Sequence, residues 1–193
     1  MKKLILTACL LLAACSGKPA PALYRLEVPA TAQPACSAGP SIAIKPPVAG
    51  PGLDSARIVV MEEAGRQTFY NDVRWNASAP ELVQHNLAER FEASGRFATV
   101  ITDDAAAHTR WLLQTQLRRF QVDEAGGRKV QIAITATLVR ADDRQAILTL
   151  PLTFEQDAEG ANLEGIVALF DSGMGQISDQ LLAAIQHKIS LCH

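Results

Sequence analysis

The sequence predicts an α+β fold, a two-layer α/β sandwich in which a largely antiparallel sheet is covered by two helices. Residues 108–154 hold three alternating segments separated by polar turns, the pattern of an antiparallel meander with one apolar face. Leu163, Ile166, Val167, Phe170, Met174, Ile177, Leu181, Ile185 and Ile189 keep a spacing of three or four, which is the stripe of one long helix able to cover that face. A second, shorter helical pattern opens at Ser78, so strands, helix, strands and helix follow in order.

The chain opens on Lys2 and Lys3, an apolar run from Leu4, and the small pair Ala13 and Ala14 directly before Cys15. That is the order of a secretory signal peptide, and the run is about half the ~20 residues needed to cross a bilayer. Leu12-Ala13-Ala14-Cys15 resembles the bacterial lipobox, whose cysteine is acylated through its thiol and becomes the first mature residue. Residues 1–14 are therefore expected to be removed, with Cys15 as the lipidation site. One acyl chain holds a protein only marginally, at ~0.8 kcal/mol per buried CH₂, so the two or three chains of a bacterial lipoprotein are needed for a durable anchor. Ser16, rather than Asp, after the cysteine resembles the sorting rule for the outer membrane.

Residues 15–40 contain Pro19, Pro21, Pro29, Pro34 and Pro40 among Ala, Ser and Gly, which predicts an extended tether between the anchor and a domain at 41–193. Tyr24, Leu26 and Val28 would share one strand face within it, either as a short docking strand or as part of the arm. Residues 41–45 alternate and stop at Pro46-Pro47, and the Gly- and Pro-rich stretch 48–53 reads as a loop. Residues 58–61 and 67–70 flank a Gly65-containing turn and read as a hairpin.

Ser78 and Glu81 form a capping box with Pro80 in the first turn, and Val83, Leu87 and Phe91 continue the helix to Ser94-Gly95. Gln84, His85, Glu89 and Arg90 are expected on its exposed side. Residues 97–101 read as a strand. In the first meander strand Trp111, Leu113, Thr115 and Leu117 share one face but Phe120 and Val122 the other, which predicts a bulge or an end leaving the sheet. Asn162 caps the final helix. Gly165, Gly173 and Gly175 within it predict either close approach to the sheet or first helix, or a kink near 173–175.

Removal of residues 1–14 from the 193 leaves 16 Lys and Arg against 20 Asp and Glu, a net charge of −4. A mildly acidic chain without a Lys/Arg cluster argues against a nucleic-acid partner and supplies no polybasic supplement to the anchor. With Cys9 cleaved away and Cys15 acylated, Cys36 and Cys192 remain in an oxidising compartment, which predicts a disulfide between them. Loop entropy for such a bridge is ~4 to 5 kcal/mol.

Chemistry is scarce. His85, His108, His187 and His193 have no His or Cys partner at metal-ligand spacing. The acidic pairs fall in predicted turns, and neither a phosphate loop nor a nucleophile elbow is present. No enzyme activity, cofactor or metal is expected. The pattern is that of an anchored domain that binds or assembles.

Leu12-Ala13-Ala14-Cys15, Tyr24-Arg25-Leu26, residues 53–61 before Phe69-Tyr70, Arg74-Trp75, the helix after Pro80, residues 113–122 and the long final helix, in that order, resemble the ABC-type transport auxiliary lipoproteins. In particular they resemble the PqiC-like lipoproteins that accompany MCE-domain lipid transport. The chain departs from that pattern with Asn76-Ala77-Ser78-Ala79-Pro80 after the tryptophan. The resemblance implies an outer-membrane lipoprotein on the periplasmic face, a PqiB-like MCE-domain partner with its inner-membrane permease, and compatibility with a homo-oligomeric ring. Tyr24, Arg25, Phe69, Tyr70, Arg74 and Trp75 are the interface candidates, since aromatic and arginine side chains are common anchors. For Trp75 a place in the core between hairpin and first helix is an equal alternative. Two other functions stay open: a scaffold of another envelope export machine, and a module that itself holds an acyl chain between sheet and helix.

Overall fold

The computed structural model describes residues 20–28, 33–34, 36–102 and 109–189. Among them nine strands form one sheet, and two helices cover it. The strands are β1 (Ala22–Tyr24), β2 (Ser41–Ile44), β3 (Val48–Ala49), β4 (Arg57–Met61), β5 (Gln67–Trp75), β6 (Thr99–Ile101), β7 (Trp111–Asp123), β8 (Lys129–Arg140) and β9 (Ala146–Asp157). The helices are α1 (Ala79–Ala93) and α2 (Leu163–Gln186). No described helix is long and apolar enough to cross a membrane.

The long strand β7 organises the sheet. One edge pairs antiparallel with β8, which pairs antiparallel with β9, so the expected meander forms in register from Trp111↔Arg140 to Lys129↔Asp157. Along its other edge β2, β3 and β4 lie end to end, all parallel to it. β4 then forms the antiparallel hairpin with β5, and β1 adds in parallel to β5. The register of β7 shifts between Leu117 and Arg119, the bulge that lets Leu117 and Phe120 both face inward. β9 is an edge strand of 12 residues, with Pro151 opposite Thr135 at its middle.

α1 begins as its sequence demands. The Ser78 hydroxyl accepts from the Glu81 amide at 3.4 Å, and the Glu81 carboxylate accepts from the Ser78 amide at 3.2 Å. Ser78→Ala removes one acceptor from the first turn and should cost about 1 kcal/mol, read as a lower denaturant midpoint at unchanged slope. The helix ends where Gly95 turns with φ +64°. There the arm closes over it, Gln33 N donating to Ala93 O and Cys36 N to Gly95 O.

α2 is capped by the Asn162 side chain, which accepts from Gly165 N at 3.0 Å. Its glycines mark close approach, not a kink. A Cβ at Gly173 would lie 2.5 Å from a ring carbon of Phe154 and 2.7 Å from Ile132 Cδ1, and one at Gly175 3.1 Å from Arg90 of α1. Between sheet and helices Trp75, Phe120 and Phe170 form a fully buried aromatic cluster with ring centroids 4.6 to 5.5 Å apart.

Several expectations are corrected. Val48–Ala49 pairs with β7 although it lies in the Gly/Pro-rich stretch, because two residues suffice once β7 offers a free edge. The strand near residue 100 is three residues long, and of the arm's island 23–28, open as a docking strand or plain arm, only the start is strand, within Ala22–Tyr24. Gln84 is buried, its amide donating to Ile44 O at 2.7 Å and to Thr102 O at 3.0 Å, so one position of the presumed polar face of α1 instead ties the helix to the sheet. The expected Cys36–Cys192 disulfide falls in part outside the described residues. Cys36 is the one cysteine among the described residues and Cys192 lies outside them, so no disulfide joins two described residues. Cys36 is not a free thiol. What ties this part of the arm down in the described structure is its backbone bonding to the end of α1.

Candidate docking surface

Cys15 lies outside the described residues, but the arm that follows it is built into the domain. β1 pairs Ala22↔Val73, Leu23↔Arg74 and Tyr24↔Trp75. Asn76 N donates to Tyr24 O at 2.7 Å, and the Tyr24 hydroxyl donates to Glu164 at 3.2 Å at the start of α2. Desolvation and that carboxylate both raise the Tyr24 pKa. Leu26 is buried in the core.

One turn further along, Arg90 of α1 joins three elements. Its Nε donates to Asn86 at 2.9 Å, and one terminal nitrogen donates to the carbonyls of Glu27 and Asp171, each at 3.2 Å. Glu27 N donates to the Asp171 carboxylate at 2.7 Å. Arg90 is therefore a clamp between arm, α1 and α2, where a solvated position was expected. Burial lowers its pKa while Asp171, Asp179 and Glu89 raise it, and an arginine so placed stays protonated.

Burial dominates at Asp171 and raises its pKa, against the Glu27 amide and Arg90, which lower it. A carboxyl raised in the folded state binds its proton more readily there than in the unfolded chain. Its contribution to stability is thus lost as pH rises from the ordinary carboxylate value through the raised one. Asp171→Asn keeps an oxygen to accept from Glu27 and removes the charge. The variant should hold the wild-type fold, and the pH dependence of its denaturation midpoint should lack this falling component when compared with wild type at mildly acidic and neutral pH.

The six interface candidates divide. Trp75 is 1 % exposed and belongs to the core. Tyr70 is engaged internally, its hydroxyl accepting from Arg128 at 2.6 Å, while Arg128 also donates to Ala161 O. Phe69 is partly buried with the Arg57 guanidinium 4.0 Å above its ring. Arg25 is exposed, 3.9 Å from an equally exposed Glu27. Arg74 is exposed and lies between Leu23 on β1 and Arg57 on β4 in one cross-strand row. The sequence brought Arg25, Phe69 and Arg74 forward but not Arg57 or Leu23, whose neighbourhood exists only through the sheet.

A cleft of about 410 Å³ opens between arm and α1, lined by Arg25, Glu27, His85, Asn86 and Glu89 among others. Its charges are mixed, and among the described residues no group of three His, Cys, Asp or Glu is arranged to hold a metal ion. Among the described residues the geometry displays a docked arm and an outward sheet face.

The family model of the ABC-type transport auxiliary lipoprotein component matches residues 24–182, from β1 to the last turns of α2. The chain belongs to that family. The auxiliary lipoproteins are non-catalytic envelope components, periplasmic or outer-membrane, linked to transport. Among relatives, the auxiliary lipoprotein is 26 % identical over 168 residues to an uncharacterized protein of Bradyrhizobium diazoefficiens. The match covers 86 % of this chain and 45 % of that protein, so the chain spans about half the length of the curated relative. Among solved structures, a protein from Xanthomonas campestris superposes with a TM-score of 0.69 at 22 % identity, covering 84 % of this chain and 90 % of that one. A hypothetical protein from Chlamydia trachomatis gives 0.57 at 6 % identity, covering 79 % and 99 %. At these identities the two structures establish the shared fold of the auxiliary lipoprotein and nothing further.

Proposed function

We propose that this auxiliary lipoprotein is anchored through Cys15 at the periplasmic face of the outer membrane and docks the far end of an MCE-domain, PqiB-like assembly, whose inner-membrane permease belongs to the same lipid-transport system. The observation that carries the reading is the family match over residues 24–182, joined to the lipobox-like Leu12–Cys15 just upstream. The docked arm supports it, because a domain fastened to its own tether keeps a defined attitude toward the membrane. Work here is binding and orientation, with lipid moved by other subunits. A module that itself holds an acyl chain between sheet and helices is less supported, since Trp75, Phe120 and Phe170 occupy that space.

Cys15→Ser tests the anchor. The variant should lose acyl mass and leave the membrane fraction while keeping its thermal transition, and an unchanged mass and fractionation would overturn the reading. Crosslinking in native membranes tests the partner. Recovery of an MCE-domain protein supports docking, and recovery of components of another export machine in its place points to the scaffold alternative.

A further inference from the structure

We propose that the outward face of β1, β5 and β4, carrying Leu23, Arg74 and Arg57, lies against the anionic phospholipid headgroups of the membrane that holds the chain. The inference rests on the acylation of Cys15 proposed above.

Covalent reach is the first argument. β1 is docked on β5 and the described chain begins at Ala20, so five Cα-to-Cα steps separate it from Cys15. At most ~3.6 Å per residue, the acylated cysteine lies within about 18 Å of Ala20. A domain tied this closely at one edge presents that edge, and not the far end of the meander, to the lipid.

Charge is the second. Arg57 and Arg74 are directly opposite each other in the hairpin, and like charges so placed repel. Neither has an acidic partner within ion-pair distance among the described residues, and Arg57 rests on Phe69. Arg25, the residue after β1, extends the group. Its contact to Glu27 at 3.9 Å is solvent-exposed and weak. Asp72, at φ +56° in the β5 irregularity, is the acid in the same strand. Two opposed guanidinium groups are the arrangement that a layer of phosphates stabilises.

The third argument is Leu23, 65 % exposed in the row with the two arginines. An exposed leucine beside arginines is poorly served by water. It fits the boundary between headgroups and acyl chains, where apolar and basic groups are both accommodated. These cations come from three separate stretches of a chain whose net charge is negative, so the sheet creates a basic patch that composition does not contain.

At ~1 kcal/mol for each basic group near an anionic surface, Arg57 and Arg74 together favour the face-down orientation roughly thirtyfold. The test is hydrogen exchange of the full acylated protein on phosphatidylethanolamine–phosphatidylglycerol vesicles and on phosphatidylcholine vesicles, with flotation measured in parallel. Amides in 20–28 and 66–76 should exchange several-fold more slowly on the phosphatidylglycerol-containing vesicles, and those in 140–147 equally on both. R57Q/R74Q should abolish the difference while flotation and thermal transition stay as in wild type. Equal exchange on both vesicles, protection of another face, or protection retained in R57Q/R74Q overturns the orientation while leaving the anchor intact. Wild type that fails to float on either vesicle overturns the anchor, and this inference with it.

Discussion

Trp75→Ala should lower stability by about 3 to 5 kcal/mol, the largest loss expected from any single side chain near the docking face. Trp75 stands where β5 ends, 5.5 Å from Phe120 of β7 and edge-on to Phe170 of α2 at 5.3 Å. Its removal empties the junction of hairpin, long strand and final helix. Among the described residues the indole Nε1 has no hydrogen-bond partner, and it is packing that holds the residue there. Trp75→Phe removes that unpaired donor and keeps most of the ring, and should cost clearly less than the alanine change. For a domain of this size, 3 to 5 kcal/mol corresponds to a fall of roughly 10 °C in Tm. Denaturant titration of both variants checks the order. A loss of partner binding by Trp75→Ala at unchanged Tm would show that the side chain acts at a surface it does not occupy in this structure.

Gly173→Val should be the second severe change. The new Cβ would fall within 3 Å of the Phe154 ring and Ile132 Cδ1, both in the packed interface of α2 with β8 and β9. Ile132 Cδ1 is a chain end and can move. The phenyl ring can escape only by disturbing neighbours. Valine adds two further methyl groups in the same space, so the cost should lie at the upper end of ~1 to 3 kcal/mol. Gly175→Ala is the internal control. Its Cβ meets Arg90 Nη1 at 3.1 Å, a nitrogen other than the two that bond Asn86, Glu27 and Asp171, and alanine gains up to ~1 kcal/mol over glycine in a helix. Gly175→Ala should therefore be near neutral or stabilising, and equal effects at the two positions would refute the assignment of Gly173 to the helix–sheet contact. Thermal melts of the two variants beside wild type decide it.

These two glycines show what was legible in the sequence. Close approach was one of two readings open for them, and only the neighbours Phe154 and Ile132 distinguish it from a kink. The two helices and the meander were readable because each repeats its signal many times, with caps at Ser78 and Asn162. A strand near β1 was one of two readings open for the arm but with other bounds, and β3 was not readable, since strands of three and two residues carry no period and exist through β5 and β7. Gln84 and Arg90 fell on the wrong side of α1 because a polar residue among solvated neighbours gives no sign that backbone carbonyls of distant segments await it. The basic row was invisible for a related reason. Arg57 and Arg74 become neighbours only through a register that the β5 irregularity around Asp72 sets, and Trp75, one residue from Arg74, points the opposite way because alternate residues face opposite sides of a strand.

The long last strand of the meander has a further bearing on how such a protein survives at a crowded surface. Twelve residues of unpaired backbone would ordinarily invite a second molecule to continue the ladder and start an aggregate. Proline halfway along that margin, at 151, cannot donate, so an incoming strand would meet an interrupted row of hydrogen-bond donors. Copies crowded at high local concentration are thereby discouraged from zipping together side by side, and the margin needs no covering element to stay open.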